Sequence, residues 1–462
     1  MKTTIMMMRS NIRRGQLFLN RGIIRSMSVS SAVSFRSLEF IQDPYPALKK
    51  LMKDDPVHYS KELDGWVVTR YEDVRTLLAD TERLTADRIR PFLNHLEKKT
   101  TDPNEAKMFR ALRETFQSWV VFNDPPDHTR LRKLMDKAFR KRVVEGLRSK
   151  IESASETLLE EAIQQGNAAG GKMELISGYA NKLPARVIAD LLGVPHEDMP
   201  KLVDWSNGIA AFVLVSRNDK EKYTNAAAAL EHLRAYFKQH VEKKKQALNP
   251  NAEVEDVIDG MIRATEGSDQ LTMDELIATA ILLIFAGHET TTHLITNGML
   301  ILSRNKDQLE ALRKDATLVP NCIEEILRYD GPSLANVRLA SKDFEYNGKQ
   351  IKQRDRFFLF SCSANRDDSV FENADTFDIK RPNAKRNLTF GFGKHFCIGA
   401  PLARLEGEIA LRHLIQRLKT WDLDTADDKL VRSIVDNSVQ PPWVDLIVTR
   451  GMKRLPITFQ GM

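Results

Sequence analysis

Residues 271–305, LTMDELIATAILLIFAGHETTTHLITNGMLILSRN, constrain this chain more than any other stretch. Thr272 stands three residues before Glu275, a capping-box spacing, so a helix is expected to start at Met273. From there to Ala286 apolar residues run around all faces, which predicts a buried helix crossing the core. At about 1.5 Å per residue, 273–304 would span roughly 45 Å, the width of a large domain. The apolar run is too short for the roughly 18 residues of a membrane span. Into this rod the sequence sets Gly287, His288, Glu289, Thr290, Thr291 and Thr292. Glycine and β-branched threonine weaken a helix, and a buried carboxylate is costly without a partner. Thr290 can also turn its hydroxyl onto the carbonyl of Ala286, four residues back. An ordinary core helix with a polar patch facing a neighbour is the bland alternative. Every local rule breaks at one turn, which favours a functional acid–alcohol pair at Glu289 and Thr290.

The rest of the chain reads as mainly α with a minor β region. DPYPALKKLMKDDPVHYS is expected to form a short helix leading to a strand, and helices are expected at 71–80, through EAKMFRALRETF, from His128 onward, and over most of 147–265. The stretch 86–120 is otherwise polar and irregular. GWVVTR (65–70) alternates like a strand, and short β-rich pieces are expected at 334–360 and 444–459. No repeat and no linker divides the chain after residue 38, which predicts a leader over 1–38 and one domain over 39–462. The leader holds seven basic residues and no acid; without them the net charge falls from +6 to −1. The basic excess therefore offers no reason to propose nucleic-acid binding. An Arg- and Ser-rich, acid-free N-terminus reads as a transit peptide, mitochondrial in the first instance, with a plastid or a plain basic tail as alternatives. Three scattered cysteines, Cys322, Cys362 and Cys397, argue against a disulfide framework.

One of them sits in FGFGKHFCIG, residues 390–399. Four fates compete for Cys397: structural thiol, zinc ligand, nucleophile, or axial haem ligand. Zinc needs about four ligands, and His395 and Cys397 supply two. A nucleophile needs a base, and His395 two residues away need not face the sulfur. A structural thiol leaves Gly391, Gly393 and Gly399 unexplained. Glycines permit positive φ and close approach of the backbone to something flat, and amides in such a turn can donate to a thiolate. The haem reading uses every residue of the stretch.

This segment resembles the haem-binding loop of cytochrome P-450 enzymes, Phe-x-x-Gly-x-His/Arg-x-Cys-x-Gly, through Phe390, Gly393, His395, Cys397 and Gly399. AGHET, Ala286 to Thr290, is similar to the family's oxygen-activation turn. Glu325-Ile-Leu-Arg328 matches its Glu-x-x-Arg helix, and Arg381 in FDIKR stands where the family completes a buried Glu–Arg–Arg cluster. NDPPDHTRLRKL resembles the helix of soluble, bacterial-type members whose His and Arg hold the haem propionates, here His128 and Arg132. Arg338 and His395 fit the remaining cationic positions. Asn387 departs from the pattern, since many such relatives carry His there. The likeness runs from about residue 39 to the C-terminus.

The resemblance implies a cytochrome P-450 fold with haem b (iron protoporphyrin IX) between the long central helix and the Cys397 loop. Cys397 would be the metal ligand. Thr290 would hold the reacting oxygen, Glu289 would relay protons, and Ala286 with Gly287 would open the helix groove. The implied activity is a monooxygenase inserting one atom of O2 into a small, largely apolar molecule. No reductase follows the haem motif, so an external ferredoxin and an NAD(P)H-dependent ferredoxin reductase are expected, with Lys385, Arg386, Lys394 and Arg404 as a basic docking face. The protein would be a monomer without a transmembrane anchor. By family position, 86–118, Phe212, Leu283 to Ala286, Leu334 to Val337, Val448 and Thr449 would line the pocket. A haem-thiolate nitric oxide reductase and a non-catalytic gas sensor are the rival functions.

Overall fold

The central segment forms two helices, Met273–Gly287 and Glu289–Arg304, with His288 between them at φ −96°, ψ −48°. The continuous helix expected over 273–304 is thus corrected to a broken one, and side chains at the break show why. Thr290, Thr291 and Thr292 donate their hydroxyls to the carbonyls of Ala286, Gly287 and His288, at 3.0, 3.3 and 2.9 Å. His288 Nδ1 lies 2.9 Å from the Ile284 carbonyl. Side chains compete with backbone amides for four of these acceptors, which loosens the ladder at this turn. The N-terminus follows the sequence: Thr272 and Glu275 form a complete capping box. Glu275 also pairs with Arg130, tying the helix Asp127–Ala138 to the start of the central one.

The computed structural model describes residues 33–139, 141–215, 221–249, 254, 256–264, 271–424 and 443–461. The chain separates into two units, Met1–Ser34 and Phe35–Met462. In the second, Leu276 to Phe285 are all buried. Helices Lys182–Leu192, Met199–Val213 and Lys222–Ala247 pack on the first half of the central pair, and Val319–Asp330 and Ala400–Arg417 on the second. Among the described residues no helix is long and apolar enough to cross a membrane.

β-Structure is a minor component placed at one side. A five-stranded sheet runs in the order Val57–Ser60, Gly65–Val68, Arg356–Leu359, Asn336–Ala340, Leu84–Thr85. Gly65–Val68 pairs in parallel with Arg356–Leu359, bringing Val67 opposite Phe358. Trp66, Val68, Phe357 and Leu359 fill a second apolar cluster. A smaller sheet joins Lys172–Glu174, Pro456–Gly461 and Leu418–Leu423. Two expectations change here. The stretch 86–120 holds, besides the expected helix at Pro103–Phe116, a second one at Ile89–Lys99, because Ile89 and Leu93 give it an apolar face. Of 444–459 only the end is strand; Thr449 makes a single bridge to Ser333.

Candidate active site

The Cys397 loop leads into the helix Ala400–Arg417. Gly391 and Gly393 both have φ +74°, a left-handed conformation that glycine alone adopts cheaply. At Gly393 a Cβ would also lie 3.0 Å from the Ala79 Cα. These turns fold the loop back so that the Cys397 amide donates to the Phe390 carbonyl at 2.9 Å. Gly399 is different: its φ is −78°, and a Cβ there would meet the Cys397 sulfur at an ordinary 3.9 Å. The backbone conformation does not demand that third glycine. Cys397 is enclosed by the protein yet keeps accessible surface, because its sulfur faces a cavity. Burial pushes its thiol up, while the amides of Gly399 and Ala400, with Arg132 and Arg404, pull it down. Burial prevails and leaves the thiol above its ordinary range, while the two backbone donors at the helix start oppose it and would favour an anionic sulfur.

The cavity has a volume of about 290 Å³, and the break in the central helix forms another part of its wall. Ala286, Gly287 and Thr290 line it together with Cys397. At Gly287 the space a Cβ would need is occupied by Ile188 Cδ1, 2.3 Å away, so this glycine admits a neighbouring helix rather than opening a groove. Glu289 does not line the cavity. Its Oε1 lies 3.6 Å from His293 Nε2, one turn further along. Burial raises the Glu289 carboxyl, but His293 and then His288 outweigh it and leave the group below its usual range.

Cations gather at a third side. His128 and His395 lie against each other with ring centroids 4.3 Å apart and planes inclined at 53°. Arg132 donates to the Phe396 carbonyl at 2.7 Å and pairs with Asp136 at 2.8 Å. Arg338, on the strand Asn336–Ala340, donates to the Val337 carbonyl. Burial and the neighbouring Arg338, His128 and Arg132 drive His395 down to about 3. Burial and Arg132 also lower His128, and burial brings Arg338 down to about 10. The one carboxylate acting on Arg338 among the described residues, Asp124, is already held by the Thr85 hydroxyl and the Ala86 amide. His395 Nε2 is buried with no hydrogen-bond partner. Basic groups crowded around His395, which they depress and whose Nε2 is orphaned, suit a ligand carrying carboxylates at this edge. The haem group fits this site: a thiol with two backbone donors, an apolar cavity, and cations for two propionates.

Behind the loop the expected triad is assembled. Arg328 meets Glu325 at 2.7 and 2.8 Å, and Arg381 reaches the same carboxylate at 3.1 Å. The Asp378 amide donates to it at 2.9 Å. Asn387, the departure from the family pattern, donates to Glu324 Oε2 at 3.1 Å. Arg404 grips Glu324 at 2.7 Å and lies over the Phe390 ring, so it braces the loop instead of standing free as a docking cation. Lys385, Arg386 and Lys394 are exposed.

Of the expected pocket residues, Leu283, Ala286 and Asn336 line the cavity. Phe212 packs on Phe116 and Tyr223 instead, and neither Val448 nor Thr449 contributes. Sequence reasoning missed Val120 and Val121, just beyond its 86–118 limit, and Glu406, whose buried carboxyl is pushed well up by burial. It also missed His293. The signal was present, since an i,i+4 spacing from Glu289 puts both on one helix face.

A family profile described as Cytochrome P450 matches residues 83–440. Over 429 residues the chain is 34% identical to "Polyketide biosynthesis cytochrome P450 PksS" of Bacillus subtilis (strain 168), covering 91% of this chain and 96% of that protein. It is 34% identical to "Cytochrome P450 monooxygenase PikC" of Streptomyces venezuelae, covering 91% and 92%. Among solved structures, the crystal structure of P450BioI in complex with an acyl carrier protein ligated to hexadec-9Z-enoic acid matches with a TM-score of 0.78 at 31% identity, over 91% of this chain and 99% of that one. These relatives are bacterial proteins, which overturns the mitochondrial assignment of 1–38. An acid-poor, Arg- and Ser-rich composition is not specific enough to carry an address. Residues 1–32 lie outside the described ones.

Proposed function

The chain belongs to the cytochrome P450 family, a haem-thiolate monooxygenase fold, and from its site we propose which residues serve that chemistry and what they serve it on. One observation carries the reading: the Cys397 sulfur with its two amide donors and the Thr290 turn of the broken helix wall the same apolar cavity. When bound there, haem with a thiolate ligand supplies O2 activation, the thiolate favouring O–O cleavage.

Cys397 would ligate the iron, and the amides of Gly399 and Ala400 would hold its sulfur anionic. His128, Arg132, Arg338 and His395 would take the propionates, which in turn would satisfy His395 Nε2. Phe390, braced by Arg404, would shield the sulfur. Thr290 would hold a proton at its hydroxyl next to the reacting oxygen, and Glu289 would renew that proton. Ala286 leaves room above the porphyrin, and Gly287 lets Ile188 close the wall. Glu325, Arg328 and Arg381 would fix the frame of the loop. Cys322 and Cys362 are buried and line no part of the cavity, which supports non-covalent haem b.

The lining favours an apolar substrate: Val120, Ile188, Leu282, Leu283 and Leu294 are among the side chains that wall the cavity. We take 39–462 as one catalytic, monomeric domain served by an external ferredoxin and its NAD(P)H-dependent reductase. Exposed Lys385, Arg386 and Lys394 support docking of an acidic partner. Reconstitution with a ferredoxin and reductase tests this reading, with NAD(P)H consumption and product followed with and without apolar substrates or NO. Substrate-dependent consumption with an oxygen atom from O2 in the product is expected. NO-dependent consumption would transfer the site to nitric oxide reduction, and a silent protein that still binds CO would make it a gas carrier.

A further inference from the structure

Glu289 and His293 form a pair set behind the cavity wall. Glu289 opens the helix Glu289–Arg304, so its carboxylate sits at a helix N-terminus. His293 lies one turn along and is buried. Neither of its ring nitrogens has a hydrogen-bond partner; the nearest acceptor is Glu289 Oε1 at 3.6 Å. An imidazole always carries at least one N–H, and burying it unmet is unfavourable. The far side of the ring is closed by Gly451, where a Cβ would fall 2.0 Å from His293 Nδ1. The ring is therefore confined between Gly451 and Glu289, and the carboxylate is the one acid paired with it among the described residues.

We propose that His293 is the positioning residue for Glu289: it holds the carboxylate ionised and aimed behind Thr290, and coupled oxygen chemistry depends on the two acting as a unit. This rests on the reading of Glu289 as the carboxylate that relays protons towards Thr290. The groups acting on Glu289 among the described residues are His293 and His288, the latter bonded to the Ile284 carbonyl. From the C-terminal segment the neighbouring charge is Arg450, turned away onto Asp330. Removing the imidazole takes away the larger of the two opposing groups and leaves burial countered by His288 alone, so the carboxyl must titrate at higher pH.

The test compares His293→Leu, His293→Asn, Glu289→Gln and the Glu289→Gln/His293→Leu double variant as haem-loaded ferric proteins. Infrared difference spectra, with Glu289→Gln identifying the band, give the carboxyl titration without any turnover. His293→Leu is expected to raise its midpoint by about one pH unit or more, a tenfold change. His293→Asn, which keeps a side-chain N–H, is expected to fall between. In turnover, His293→Leu should lower product formed per electron several-fold, and the double variant should be no worse than Glu289→Gln alone. An unmoved carboxyl titration, or losses that add in the double variant, would overturn the proposal. If His293→Leu loses haem, the His293→Asn titration decides. If wild type forms no oxygenated product, the functional reading fails, and the titration still decides the positioning role.

Discussion

Removing the Glu325 carboxylate should cost more than removing either of its cations, and the structure gives the reason. Glu325 and Arg328 have fully buried side chains, and Arg381 is 6% exposed. The cluster holds two guanidinium groups and one carboxylate, a net charge of +1. Glu325→Met would leave two uncompensated buried cations and an unmet Asp378 amide. Arg381→Met would leave Glu325 and Arg328 balanced. Breaking a buried pair so as to strand its charge costs about 3–5 kcal/mol, and stranding two puts Glu325→Met at the upper end. Arg381→Met forfeits bonds to the Glu372, Asn373 and Thr376 carbonyls, for about 1–3 kcal/mol. With an unfolding entropy of about 2.1 cal/mol/K per residue, 5 kcal/mol over the unit Phe35–Met462 is a shift of roughly 5 °C. Urea titration of the apoproteins, followed by far-UV circular dichroism, gives the free energies directly. Equal losses for the two variants would show that carbonyl bonds and packing, not stranded charge, set the cost.

Three further outcomes are expected. Thr290→Ala should keep haem and the substrate-induced spectral shift but divert electrons to hydrogen peroxide; unchanged product per NAD(P)H removes the role given to that hydroxyl. Gly393→Ala, at φ +74° and against Ala79, should destabilise by about 1–3 kcal/mol and speed haem loss to apomyoglobin, whereas Gly146→Ala, with open space around it, should do neither. In the apoprotein His395 stays neutral down to about pH 3, while the unfolded chain takes its proton near 6.5. Stability from this group is therefore complete above about pH 6.5 and lost as pH falls towards 3, by up to about 1.4 kcal/mol per unit; His395→Gln should flatten that limb in acid-unfolding curves.

The site was more legible than its surroundings, and the difference lies in how local each signal is. The Cys397 loop is written in consecutive residues, because positive φ at Gly391 and Gly393 needs glycine wherever the loop is placed. The capping box at Thr272 and Glu275 is equally local. The Glu325 cluster gained its third member from a family pattern, not from spacing, since Arg381 is 56 residues away. What could not be read was the outcome of competition between distant partners. Arg404 looked like a surface cation until Glu324 and the Phe390 ring claimed it. Phe212 looked like pocket lining until Phe116 and Tyr223 took its face. The break at His288 lies between these cases: the threonines announced it, but only the folded chain shows four carbonyls engaged by side chains at once.

The electrostatics of the cavity point the same way from two sides. Its floor offers amide dipoles to a sulfur whose thiol burial still holds above its ordinary range. Its edge holds His128, Arg338 and His395 together, where burial lowers all three and the crowding of Arg338, His128 and Arg132 makes His395 harder still to charge. Neither arrangement lowers the energy of the protein by itself, since burying unmet donors and crowding cations both cost stability. Both become favourable when anionic groups arrive at two places at once, a thiolate at the floor and carboxylates at the edge. Haem bound through Cys397 brings its carboxylates to the edge in the same event that fixes the thiolate. The strain carried by His395 and its neighbours is thus a device for selecting a ligand that satisfies both ends, and a porphyrin stripped of its propionates should bind this cavity poorly however well its ring fits.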